Sequence, residues 1–149
     1  MTADEFLKQI ERADKVISNK LYEVQRLRLL AVSTTVPTDR EAVQTSGVSD
    51  KVGNIVAKIV DLENEINDLI DEYVDLQRFC IGVIESLESP LQYTVLHKHY
   101  VQYKSFAEIA EEEHYSYDGI MKVKRKALEQ VEEILKEKSP RFASVYSII

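Results

Sequence analysis

Apolar residues recur along the first part of the chain at alternating intervals of four and three. Phe6, Ile10, Ala13, Ile17, Lys20, Val24, Leu27 and Ala31 keep this spacing. It lines one face of a helix, with Lys20 as a single polar defect. Thr2-Ala3-Asp4-Glu5 is a capping box that starts this helix. The Thr2 hydroxyl accepts a first-turn N–H while Glu5 reaches back. The pattern fades at Ser33-Thr34-Thr35-Val36-Pro37, where β-branched residues and a proline disfavour helix. Residues 33–49 are therefore expected to form a loop, and Ser49 or Asp50 to cap the next helix.

The second pattern is longer and cleaner. Val52, Ile55, Ile59, Leu62, Ile66, Leu69, Tyr73, Leu76, Cys80, Val83 and Leu87 alternate by three and four without a charged break. A helix from about 50 to 88 would be roughly 58 Å long at ~1.5 Å per residue. Such a helix cannot bury its stripe alone. The first helix is expected to cover it as an antiparallel hairpin. Val56, Val60 and Ile70 widen the apolar face beyond a two-helix seam. This surplus predicts further burial against a second copy or a partner, unless the last part of the chain folds back over it; for self-association, Ile59, Leu62, Ile66, Leu69, Tyr73 and Leu76 are the oligomerisation residues.

The last part has a different rhythm. Ser89-Pro90 caps and opens a helix through Tyr93, Leu96 and Tyr100. That helix is expected to end around Gln102-Tyr103-Lys104. Ser105-Phe106-Ala107-Glu108 opens a short helix with Phe106, Ile109 and Ala110 inward, ending near Glu113-His114. Ser116 can cap a third helix in which Ile120, Val123, Ala127, Val131 and Ile134 form the apolar stripe. A short helix, a tight turn and a capped helix make the geometry of a DNA reader. Opposite the stripe lie Met121, Lys122 and Arg125, with Tyr117 and Lys124 on the flanks. Long basic side chains there can reach phosphates and purine edges, and the helix N-terminus favours a phosphate. Ser116, Tyr117, Met121, Lys122, Lys124 and Arg125 are the candidate DNA-binding residues.

Charge sharpens this division. The chain carries 19 basic and 26 acidic residues, net −7, which as a sum argues against nucleic acid. The sum conceals an asymmetry. Residues 1–88 hold 10 basic and 17 acidic residues, whereas residues 89–149 hold 9 of each. Within 116–128, Lys122, Lys124, Arg125 and Lys126 stand against Asp118 alone. The acidity belongs to the long helices and a basic cluster to the third helix of the last part.

Other chemistry is scarce. One cysteine, Cys80, excludes an intrachain disulfide and agrees with a reducing compartment. It falls on the apolar stripe, as a small core residue does. His97 and His99 are two apart and point in different directions on a helix, so they make no i, i+4 metal pair. No phosphate loop, zinc spacing or nucleophile elbow occurs. No enzyme activity and no cofactor are expected. No run approaches ~20 apolar residues, so no membrane span is expected, and the acidic start lacks a signal-peptide pattern.

Two segments carry a resemblance. Tyr100-Val101-Gln102-Tyr103-Lys104-Ser105-Phe106-Ala107-Glu108-Ile109-Ala110 resembles the segment of sigma-70-type region 4 that leads into its helix-turn-helix. Ser116 through Ile120, then Lys126-Ala127-Leu128, is similar to that family's recognition helix. The stretch Ser46-Gly47-Val48-Ser49-Asp50-Lys51-Val52-Gly53, with Val56 through Leu62 and Glu65-Ile66-Asn67, resembles small phage and prophage proteins of Gram-positive bacteria. Those are uncharacterised or grouped with RinA/ArpU-type late-gene transcriptional regulators. Departures stand beside the likeness. Tyr103 takes the place of the usual glycine before the second helix. Glu113-His114 replaces Leu-Gly in the turn, and Gly119 falls early in the recognition helix.

The expectation is an all-α chain. A long antiparallel, coiled-coil-like helical hairpin (1–88, with loop 33–49) would precede a sigma-region-4-like helix-turn-helix bundle (89–138) and a C-terminal tail (139–149). The resemblance implies a phage-type transcriptional regulator in the cytoplasm of a bacterial host. It would bind double-stranded promoter DNA, form a homodimer, and use its long helices for self-association or for contact with RNA polymerase or another phage or host protein. Two other readings remain open. One is a protein-interaction module such as a phage antagonist or adaptor. The other is a DNA-packaging component of small-terminase type.

Overall fold

The computed structural model describes residues 1–35 and 45–138, and these are all-α, with no strand among them. In order they form α1 (Ala3–Thr35), α2 (Thr45–Glu85), α3 (Pro90–Leu96), a π-helical turn (His97–Val101), α4 (Phe106–Glu113) and α5 (Tyr117–Lys138). The tail 139–149 and the middle of the expected loop, 36–44, lie outside the described residues.

The loop is shorter than its composition suggested. α1 continues to Thr35, and α2 starts at Thr45, ahead of the expected cap at Ser49 or Asp50. The first four N–H groups of a helix need no intrahelical acceptor, so an opening turn through Ser46 and Gly47 costs little.

The expected caps form. Glu5 N–H donates to Thr2 Oγ1 at 3.2 Å while Thr2 N–H donates to the Glu5 carboxylate at 2.8 Å. Ser89 accepts from Gln92 N–H at 3.4 Å ahead of Pro90, and Ser105 accepts from Glu108 N–H at 3.2 Å.

Packing groups the chain otherwise than by a cut at 88/89. Among the described residues, one compact unit joins Met1–Asp14 to 73–138, and the other is Lys15–Glu72. In the first unit Leu7 and Ile10 of α1 share a core with Leu76, Cys80, Val83 and Ile84 of α2, Leu96, Tyr100, and Ala127 and Val131 of α5. Phe6 meets Phe79 edge to face at 5.9 Å. The start of α1 is thus part of the bundle that carries α5. A smaller cluster of Val95, Ile109, Ala110 and Ile120 locks α4 to α5. Leu7, Gln9 and Ile84 are buried although they lie off the three-four stripes. Neighbours surround these turns on more than one side, which a single-stripe pattern does not describe.

In the unit Lys15–Glu72, Ile17 and Val24 of α1 and Ile66 of α2 are buried. Lys20 pairs with Glu65 at 2.8 Å, and Arg28 pairs with Glu63. Advance along α1 therefore meets retreat along α2. The pair explains the polar defect in the first stripe: Lys20 reaches past the seam to a carboxylate, which raises its pKa.

The residues expected to mediate self-association already have neighbours within the chain. Ile66 and Leu76 are buried, while Ile59, Leu62, Leu69 and Tyr73 are half-buried. A helix turns its cleanest stripe toward its nearest cover, and here that cover is intrachain. The flanking Val56, Val60 and Ile70 are the exposed ones.

Candidate nucleic-acid interface

The candidate site is built on α4, the turn that follows, and α5, all in the first unit. α4 ends at His114, whose φ of 60° and ψ of 38° are left-handed. Tyr115 N–H then donates to Ala110 O at 3.0 Å, closing the helix end. The turn therefore uses histidine where glycine would enter without strain. Ser116 caps α5 by accepting from Gly119 N–H at 3.0 Å. A Cβ on Gly119 would lie 3.1 Å from that Ser116 oxygen, so glycine leaves room for the cap.

The second departure from the sigma pattern is also left-handed. Tyr103 has a φ of 61° just before α4. Its phenol hydrogen-bonds with Tyr73 and Asp14, and burial together with those bonds raises its pKa. The side chain thus anchors the backbone that its Cβ strains.

Charged contacts hold the turn where the sigma pattern has an apolar residue. Lys98 reaches both Glu112 and Glu113 at 2.7 Å, and Lys104 reaches Glu112 at 2.7 Å. Hydrogen bonds to Lys104 and Lys98 hold the Glu112 carboxyl below its usual pKa. Glu113, the apparent misfit, is one jaw of this clamp between the π-helical turn and the end of α4.

An aromatic cluster supports α5 from behind. The His99 ring stacks on Phe106 with centroids 3.8 Å apart and meets Tyr100 edge-on at 4.7 Å. His99 Nδ1 lies 2.7 Å from Lys104 O. Burial lowers the His99 pKa, and nearby Lys124 adds to this. Tyr100 donates a hydrogen bond to Asp4, which also pairs with Lys8 at 2.8 Å. Burial opposes the Asp4 charge, yet the bonds from Lys8 and Tyr100 outweigh it and keep that carboxyl ionised to lower pH. The Tyr100–Asp4 bond and the His99–Phe106 stack escape sequence reasoning because each joins two different elements.

The predicted residues divide into two groups. Tyr117, Lys122 and Arg125 are exposed. Ser116 is exposed too, but its oxygen already serves the cap. Met121 and Lys124 are half-buried. Lys124 Nζ sits 4.8 Å from the Phe106 ring centroid. With Arg125 they line a cleft of about 290 Å³ whose other walls include Thr2, Asp4, Leu128 and Glu132. Lys122 and Arg125, with the adjacent Lys126, thus form the open basic face, and Lys124 is a flanking cation over the Phe106 ring.

Among the described residues no group of His, Cys, Asp and Glu could hold a metal ion, and no helix is long and apolar enough to cross a membrane. Burial pushes the Cys80 thiol up to about 12, which leaves it protonated and unreactive. No protein-family model, curated protein or solved structure matches the chain.

Proposed function

We propose that this chain is a phage-type transcriptional regulator that binds promoter DNA through α5. One observation carries the reading. α5 buries Ile120, Ala127 and Val131 against the bundle while Tyr117, Lys122, Arg125 and Lys126 remain exposed on a helix that a tight turn and a serine cap present to solvent. A helix with a basic outer face suits the major groove, where cations position on phosphates and arginine reads guanine. Asp118 and Glu129 share this helix and restrict favourable contact to the stretch from Lys122 to Lys126. The contact is therefore small, and affinity would come from two α5 helices acting together. The long helices supply that pairing or contact RNA polymerase.

Gel shifts with phage late-promoter fragments against random fragments test the reading. A specific shift at moderate salt is the expected outcome. A protein-interaction module is the second reading, and the exposed apolar side chains Leu21, Val56, Val60 and Ile70 favour it. No specific shift, together with one tight protein partner in a pull-down, would establish that reading instead.

A further inference from the structure

Within the unit Lys15–Glu72, one side of the helix pair has an ordered pattern that its seam does not use. On α2 the residues Val56, Val60, Glu63, Asn67 and Ile70 follow the three-four alternation one step round the helix from Ile59, Leu62, Ile66 and Leu69. On α1 the residues Leu21, Gln25 and Arg28 do the same beside Val24. Leu21, Gln25 and Arg28 share a groove of about 490 Å³ with Glu63, Asn67 and Ile70, floored by Val24 and Ile66.

The Arg28–Glu63 pair sets the register across this groove. Leu21 lies at the level of Ile70, Gln25 at that of Asn67 and Arg28 at that of Glu63, while Val60 and Val56 continue the strip beyond. Leu21 is 51 %, Val56 48 %, Val60 49 % and Ile70 38 % exposed. The face therefore has apolar ends and a centre of one cation, one anion and two amides. Asp61, Asp68 and Glu72 point elsewhere by helical spacing, so Glu63 is the one carboxylate in the strip.

We propose that this face pairs with the same face of a second copy about a two-fold axis parallel to the helices. That operation places α1 of each copy opposite α2 of the other. Arg28 then faces Glu63, Gln25 faces Asn67, Leu21 faces Ile70, and every layer meets its complement. Isologous contact requires this kind of self-complementarity. A two-fold axis running across the helices would set Arg28 against Gln25 and Glu63 against Asn67, leaving each charge with its intrachain opposite alone. A buried amide at such a position fixes register and copy number at some cost in stability. The proposal extends the self-association in the reading above to a definite face. Its test uses no DNA.

Sedimentation equilibrium of the full chain measures it. The wild type is expected at the mass of two 17.2 kDa chains. Val60→Glu, at a position exposed in the single chain, should weaken association about 100-fold by desolvating an unpaired carboxylate, with helical circular dichroism unchanged. Arg28→Glu should also dissociate the pair, and Arg28→Glu with Glu63→Arg should restore it. A monomeric wild type overturns the proposal, as does a larger ring or a dimer that Val60→Glu leaves intact. A monomer that still shifts promoter DNA contradicts only the pairing, and a dimer without a shift contradicts only the DNA reading.

Discussion

Replacing His114 by glycine should stabilise this protein. His114 holds a φ of 60° at the end of α4, and its side chain is exposed. A residue with a Cβ loses roughly 1–2 kcal/mol in that conformation. Glycine adopts it freely but carries more freedom in the unfolded chain, which takes back about 0.5–1 kcal/mol. The net gain is about 0.5–1 kcal/mol, or a rise in melting temperature of roughly 1–4 °C for a chain of this size. Thermal unfolding followed by circular dichroism reads it directly. Tyr103 supplies the internal contrast, since its φ is 61° but its phenol bonds to Tyr73 and Asp14. Tyr103→Gly should therefore lower the melting temperature, because a hydrogen bond to a carboxylate contributes about 1.5–3 kcal/mol. His114→Val should lower it as well, because a β-branched side chain fits the left-handed region worst. A His114→Gly variant less stable than wild type would refute the strain argument. So would equal responses to glycine at 103 and 114.

Three further outcomes follow from the same contacts. Ile109→Ala opens the cluster that locks α4 to α5 and should cost about 2–5 kcal/mol in denaturant unfolding, with loss of DNA binding. His99 is held with a lowered pKa, so the folded state binds fewer protons than the unfolded one. Its contribution to stability is complete above the ordinary value of 6.5 and is lost as pH falls through the lowered one. His99→Phe should flatten that part of a stability–pH curve and leave the acid limb set by Asp4 in place. Cys80, fully buried and with its thiol pushed up to about 12, should resist a thiol reagent until denaturant is added; rapid labelling of the native protein would show that the core opens.

The helices were legible because their signals are local. Three-four alternation marks both long helices and the stripe of α5, and Thr2, Ser89, Ser105 and Ser116 announce helix starts within four residues of sequence. The partition of the chain was not legible. Ile10 looks like any coiled-coil position and Leu7 lies off the stripe, and only the fold shows that they share a core with Ala127 and Val131. The intrachain cover over the stripe of α2 was not legible for a similar reason, since sequence reveals an apolar face but not which neighbour covers it. At the candidate site the basic run was visible. The placement of Lys124 over Phe106 was not, because that partner lies 18 positions away.

The central claim is that α5 meets DNA with its outer basic face. The most direct test is fluorescence anisotropy of a labelled promoter fragment titrated with wild type and with the Lys122→Ala, Arg125→Ala double variant across a range of salt. The expected result is weaker binding by the variant and a log–log salt slope shallower by about 2, one for each lost phosphate contact. Binding of equal strength with an unchanged slope would show that α5 does not contact the DNA.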